Sequence, residues 1–442
     1  MDDPMDDPMD DPMDEPMDDP MDDPMDDPMD DPMDDPMDEP VADEPEPEPE
    51  PEPAPTITGS AIDLNQSALN TVVVNAFNSG GLNDTEAFTA LAGLETEAEV
   101  NAAIASFLPD TNDSSGQQIL EVVDGIGSII NGRLGNLNGA TLAFGTSGIT
   151  QYAQSQNVVT DVSGDGYVSS ETGAWVQGGF RKARQSSSTN NDVFDAGYNA
   201  DAVSFVIGFD KALSNDTLIG VSGSYSNVDI DQRQSTSESE IDVYQVTLYG
   251  SHNFDNVNVS GQASYATGEV AAERQSATGE ITGDYDIDGF NFQTIVTYNI
   301  ELDDNAYVSP LVGLQYGDFS TDSFTEEGGL NLNIDSGSTD SFEGRAGILT
   351  GKKYDLSDSE LDLYARAAYV YEFSGGQDDL DLSFANQTTT LRSSDGNRDR
   401  VEGTVGVYWT GSEDIRFGAA IDGEAGSNYT SIGGNLQVKY NF

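Results

Sequence analysis

Cysteine is absent from the 442 residues. That excludes disulfide staples and thiol chemistry, and it suits a chain kept unfolded for export. Histidine occurs once, at His252, and 16 Lys and Arg stand against 81 Asp and Glu, for a formal net charge of −65. So acidic a chain repels phosphate backbones, which excludes nucleic acid as a partner, and it offers no polybasic patch to anionic lipid. No run approaches the ~18 consecutive apolar residues of a membrane-spanning helix. A secretory leader is missing from the start as well, because Asp2 and Asp3 follow Met1 where basic and then apolar residues belong. For an exported chain the expectation is that the signal has been removed from this numbering.

The N-terminus is instead a repeat. "MDDPMDDPMDDP" continues in one four-residue frame to Pro40 and passes into "VADEPEPEPEPEPAP". Residues 1–55 hold all 10 Met, 16 of the 18 Pro and 26 carboxylates, with no basic residue. Mutual repulsion and the lack of apolar surface predict a disordered acidic tail, and a proline at every fourth place blocks helix propagation. Subtracting those 26 charges from −65 leaves −39 for the rest, whose first basic residue is Arg133.

From Gly173 onward apolar residues recur at every second position in segments bounded by turn-forming clusters, which predicts strands. Val203, Phe205, Ile207 and Phe209 share one face, opposite Ala202, Ser204, Gly208 and Asp210. Ile432, Leu436, Val438, Tyr440 and Phe442 likewise oppose Asn435, Gln437, Lys439 and Asn441. Twelve strands result: 174–184, 200–213, 217–230, 239–253, 257–271, 282–301, 305–318, 339–353, 360–373, 398–410, 414–423 and 429–442. Turns such as "LSNDT" and "FDNVN" are tight, whereas the connections around 185–199, 319–338 and 374–397 are long and polar. Short turns at one end, long loops at the other and aromatic residues near strand ends (Tyr225, Tyr316, Tyr371, Phe373, Trp409, Tyr440) favour an outer-membrane barrel over a soluble sandwich. The predicted fold class is an all-β membrane protein: a 12-stranded antiparallel outer-membrane β-barrel with a pore-threading helix, short upstream helices and a disordered tail.

The stretches "ETGAWVQGGFRKAR", "AGYNADAVSFVIGFDKALSNDTLIGVSGSYSNVDID" and the terminal "GGNLQVKYNF" resemble the translocator β-domain of autotransporters, the self-exporting outer-membrane proteins of Gram-negative bacteria. Upstream, "LNQSALNTVVVNAF" and "LAGLETEAEVNAAIASFLP" are similar to the short helices that precede such barrels, and "GQQILEVVDGIGSIINGRLGNLNG" resembles the pore-threading segment. The resemblance implies an acidic tail at 1–55, a helical passenger and linker region with the pore helix at 56–135, a connector at 136–173 and the barrel at 174–442. It implies Tyr440 and Phe442 as the barrel's C-terminal signature. It also implies outer-membrane lipid and lipopolysaccharide as surroundings, and barrel-assembly machinery and periplasmic chaperones as partners of a monomeric barrel. The short passenger departs from the long β-solenoids or enzymes of many members, so their activities are not carried over.

Inward faces carry Arg345, Arg366, Glu402, Arg416, Asp422 and Lys439, charges that lipid disfavours and a wet lumen accepts. They are either solvated wall residues or a basic grip on the plug helix. "DVSGDGYVSSET" places Asp161, Ser163 and Asp165 at positions 1, 3 and 5 of a calcium-type loop with Gly166 at position 6, but Glu171 falls one place before the position such loops need. An Asp-Gly turn leading into the first strand explains the same residues. No cofactor is required, and calcium is the one candidate. His252, at a strand end beside a tight turn, is expected to be an interfacial ring and not a general base, so no enzyme is expected. Two functions remain: display of the acidic tail at the cell surface, where it would collect divalent cations, or a structural anchor or plugged channel with the tail kept in the periplasm.

Overall fold

The computed structural model describes residues 63–109, 114–134 (side chains to 126), 172–214, 216–302, 305–357, 359–393, 399–411 and 415–441. The acidic repeats, the calcium-type loop with Asp161, Ser163 and Asp165, and Phe442 lie outside the described residues.

Four helices precede the strands: α1 (Leu64–Asn78), α2 (Glu86–Ala92), α3 (Glu97–Ala105) and α4 (Ser114–Leu134). Asp63 caps α1 by accepting from the Gln66 amide, and Thr85 caps α2 by accepting from Phe88. Residues 91–109, similar in sequence to the short helices ahead of such barrels, are divided between the end of α2 and α3. The reason is local: Thr96 and Glu99 form a reciprocal capping box that starts a new helix at Glu97.

Twelve long strands follow: β1 (Thr172–Gln185), β2 (Tyr198–Ser214), β3 (Thr217–Gln232), β4 (Glu238–Phe254), β5 (Val257–Ser276), β6 (Gly279–Tyr298), β7 (Ala306–Thr321), β8 (Gly337–Leu356), β9 (Ser359–Gln377), β10 (Asp399–Thr410), β11 (Ile415–Gly426) and β12 (Tyr429–Asn441). Each pairs antiparallel with the next, and β12 returns to β1 with Val176 opposite Val438, so the sheet closes into a barrel. Several strands run past the predicted ends at the loop side, as with β5, which continues from 271 to Ser276. There the outer face no longer meets lipid, so the apolar alternation that marks a strand in lipid is lost while backbone pairing continues. At the loop end, Ser276–Gly279 and Gly426–Tyr429 are joined as tightly as the turns at the opposite end.

Val203, Phe205, Ile207 and Phe209 are about half exposed on the outer face of β2, while Ala202 and Asp210 on the same strand are buried inside. The outer face is the lipid face. Toward the loop end it turns acidic, with Asp201 beside Asp229 and Asp229 beside Glu240 in register. Tyr225 donates from its hydroxyl to Asp242 at 2.7 Å, marking where lipid gives way to water.

At the turn end, inward aromatic rings lie flat on glycines of the neighbouring strand. Trp175 covers Gly208, Tyr364 covers Gly406 and Tyr408 covers Gly418, and the Trp175 indole N–H donates to Tyr249 at 3.0 Å. These glycines exist for close approach: a Cβ at Gly406 would stand 1.8 Å from the Tyr364 hydroxyl oxygen. Gly406→Ala is therefore expected to expel that ring and cost about 1–3 kcal/mol, seen as a lower temperature for conversion of the compact barrel to its slow-migrating form on gels. An unchanged conversion temperature would remove the ring from the account of stability.

The long connections at 322–336 and 378–393 are not polar excursions. Phe324–Thr325, Asn333–Ile334, Leu380–Phe384 and Gln387–Leu391 form a four-stranded sheet above the barrel. Its Leu332, Ile334, Leu382, Phe384 and Leu391 enclose one apolar core with Leu69, Val73, Phe77, Leu91, Ile104 and Phe107 of the helical region. The helices and loops thus fold as one cap at the loop end.

Candidate pore and plug site

Helix α4 occupies the lumen because its two faces match two different walls. Ile119, Val122, Val123 and Ile126 recur at helical spacing and pack against Val228, Ile241, Val243, Ala266, Val270 and Ile287 of β3 to β6. Glu121 and Asp124 occupy the opposite stripe and face charged residues of β1, β8, β10 and β11. The direction of threading is fixed by polar contacts. Ser114, at the start of α4, accepts from the Gln232 amide at 2.9 Å, and the Gln118 amide donates to the Tyr198 hydroxyl at 3.0 Å, both at the loop end. Ten residues on, Asp124 meets residues deeper in the barrel, accepting from Gln293 at 3.1 Å. The helix therefore runs from the loop end toward the turn end.

The charged wall is a network. Arg345, 3% exposed, reaches Asp124 of the helix at 3.4 Å and Glu343 of the wall at 3.5 Å, and it donates to the Gln315 side chain at 2.7 Å. Arg366 donates to Glu402 at 2.8 Å. Arg400 joins Glu343 at 2.6 Å and also pairs with Glu424. Arg181 lies 3.6 Å from Asp422 and 3.9 Å from Glu424. Tyr429 completes the set by donating to Glu121 at 2.5 Å. Between helix and wall a cavity of about 110 Å³, lined by Glu121, Asp124, Arg181, Arg400 and Glu424, has room for a few waters.

The residues singled out in the sequence divide into two layers. Arg345 touches the helix, and Arg366 is linked to that contact through Glu402, which is also 4.0 Å from Arg345. Arg416 and Lys439 stand opposite one another on β11 and β12 nearer the turn end, where Lys439 is buried 3.6 Å from Asp210. Among the described residues, the ion pair from these basic residues to the helix is Arg345 with Asp124. Arg181 and Arg400 were missed, although parity exposes both: Arg181 shares its face with Trp175 and Gln177, and Arg400 shares its face with Glu402. Tyr440 is half exposed on the outer face of β12. The His252 ring stands 2.8 Å by Nδ1 from the Thr217 hydroxyl and lies edge-on to Phe254 at 4.4 Å.

Residues 174–422, more than half of the chain, match the family model described as Autotransporter beta-domain. Among curated proteins the chain is similar to Outer membrane protein A of Rickettsia conorii, 24% identical over 296 residues that cover 63% of this chain and 14% of that protein. It is also similar to Outer membrane protein B of Rickettsia japonica, 24% identical over 392 residues that cover 84% of this chain and 23% of that one. The chain thus spans less than a quarter of the length of these relatives. Among solved structures, the translocator domain of autotransporter NalP from Neisseria meningitidis matches with a TM-score of 0.50 at 16% identity, covering 62% of this chain and 88% of that one.

Proposed function

This chain belongs to the autotransporter β-domain family, and from that premise we propose that its outer-membrane barrel displays the acidic N-terminal segment on the cell surface. The observation that carries the reading is the direction of α4. Its first residue is bound at the loop end, and the described segment 63–109 ahead of it packs on the loops of that same side. In barrels of this kind the longer loops face outward and the short turns face the periplasm. Barrel-assembly machinery, chaperones and lipopolysaccharide are the partners this reading calls for, and it assigns no catalytic step to His252. Proteinase K added to intact cells, followed by detection with an antibody to the MDDP repeat, tests it. Loss of the epitope is the expected result. Full protection in cells whose barrel is correctly inserted would favour the other arrangement, an anchor or plugged channel with a periplasmic tail.

Displayed in this way, the tail would act as a multivalent and weak collector of divalent cations, because 26 carboxylates in 55 residues relieve their repulsion by sharing counterions. A repeat with almost no apolar surface to bury is expected to offer no preformed oxygen cage, so each contact is weak. The isolated 1–55 peptide is expected to shrink in hydrodynamic radius more in calcium than in sodium at equal ionic strength. Equal shrinkage would reduce the effect to screening.

A further inference from the structure

The cap joins two parts of the chain that lie far apart in sequence, and both contribute buried apolar side chains to one core. From the helical segment come Leu69, Val73, Ala76, Phe77, Leu91, Ile104 and Phe107, and from the barrel's outer elements come Ile281, Leu330, Leu332, Ile334, Leu382, Phe384 and Leu391. Neither half can enclose a core alone, since the segment 63–109 has only three short helices and the loop sheet has only short strands. Polar contacts fix the fit at separate corners. The Asn65 amide pairs with the Arg392 backbone in both directions, donating to its carbonyl at 2.8 Å and accepting from its N–H at 2.7 Å, as a neighbouring strand would. The Leu64 N–H donates to the Asp192 carbonyl at 3.0 Å, and the Ala277 N–H donates to the Ser106 hydroxyl at 2.9 Å. Arg274 is a buried clamp. It pairs with Glu326 of the loop and donates at 3.0 Å to the carbonyl of Phe107, the residue where the cap core ends ahead of α4.

We infer that the outer loops of the barrel are a docking surface for the chain's own segment 63–109, able to hold the N-terminal portion without the covalent connection through α4. The contact has the make-up of a stable interface: a buried apolar centre, a ring of directed hydrogen bonds and one buried ion pair from the barrel side, whose Arg274 locks onto the segment's backbone. A cut between the cap and the plug would then leave the acidic tail in place. The docking holds whichever side of the membrane the loops face, so a failure of surface display would leave it standing, and its own failure would not touch display.

The test uses the full chain in lipid nanodiscs, with a thrombin site inserted between Pro109 and Ser114. After cleavage α4 remains with the barrel, so only the cap contacts can retain the fragment 1–109. Co-elution of the fragment with the barrel on size exclusion at about micromolar concentration is expected. Immediate separation would overturn the inference. In Leu332→Asp plus Leu382→Asp, which alters only the loop half, retention is expected to weaken at least about 100-fold, while the barrel's compact gel migration reports that it still folds. Equal retention by that variant, or retention that survives in a barrel lacking residues 322–336 and 378–393, would also reject it. Asn65→Ala is expected to give a smaller loss, about 5- to 20-fold, from one lost pair of hydrogen bonds.

Discussion

Replacing Arg345 by alanine is expected to lower the stability of the folded barrel by about 3–5 kcal/mol, the usual cost of removing one partner from a buried ionic cluster. The guanidinium lies between Asp124, Glu343 and Glu402, and all three are within 4.0 Å of it. Without it those carboxylates face one another across a narrow space, and the Gln315 side-chain oxygen keeps only the donation from the Gln293 amide. The loss is measured by urea unfolding in detergent, with the helix contact isolated by a double-mutant cycle. Asp124→Asn alone removes the charge that the helix brings, and the two changes together should cost less than their sum. Arg345→Lys keeps the charge but cannot reach Asp124, Glu343 and Gln315 at once, so it should recover only part of the loss. A destabilisation under about 1 kcal/mol for Arg345→Ala would mean that water in the adjoining cavity already carries the charge.

Removal of everything ahead of Thr172 is expected to open the barrel to ions. The lumen is filled by α4 on one side and by charged side chains of the wall on the other. A helix with its side chains is about 10–12 Å across, so its departure leaves a water-filled bore in a barrel between the packed eight-stranded and the open sixteen-stranded kinds. Single-channel conductance in planar bilayers should rise at least about fivefold over the full chain. Preserved compact gel migration would show that the truncated barrel is folded. If a folded truncated barrel conducts no better than the full chain, the aromatic collar around Trp175, Tyr364 and Tyr408 closes the bore by itself, and α4 is not the plug.

The barrel was legible because lipid on one side and a wet lumen on the other impose a period of two. Phe205, Leu248 and Ile421 read as outward, and Arg345, Glu402 and Asp422 read as inward, from parity alone. Parity fades above the lipid, where the outer face is no longer apolar. Arg274 was missed for that reason, since the strand was ended at 271 and the clamp lies beyond. The cap was missed for a different one. Leu380, Leu382 and Phe384 do alternate, and Leu330, Leu332 and Ile334 do as well, but each run is too short to show a buried face without its partner. That partner is a helix some 300 positions away, and no local pattern in either piece points to the other. The plug helix was placed in the lumen by resemblance. Its register, with Asp124 on Arg345 and Glu121 on Tyr429, required the opposing wall.

A closed ring around a chain whose two sides continue beyond it is a mechanical interlock. The seam between β12 and β1 is the one pairing of the barrel that joins the ends of the strand series. Once it has formed, α4 can leave only lengthwise. Toward the turn end it is held by the cap, since three helices of about 10 Å diameter laid on a sheet are too bulky for a bore that one helix fills. The cap is therefore a stopper on one side of the ring, and it is built from the same chain. Withdrawal of the helix toward the turn end requires the cap to unfold first, so the stability of the core around Phe77, Ile104 and Leu382 adds to the contacts inside the bore in holding α4.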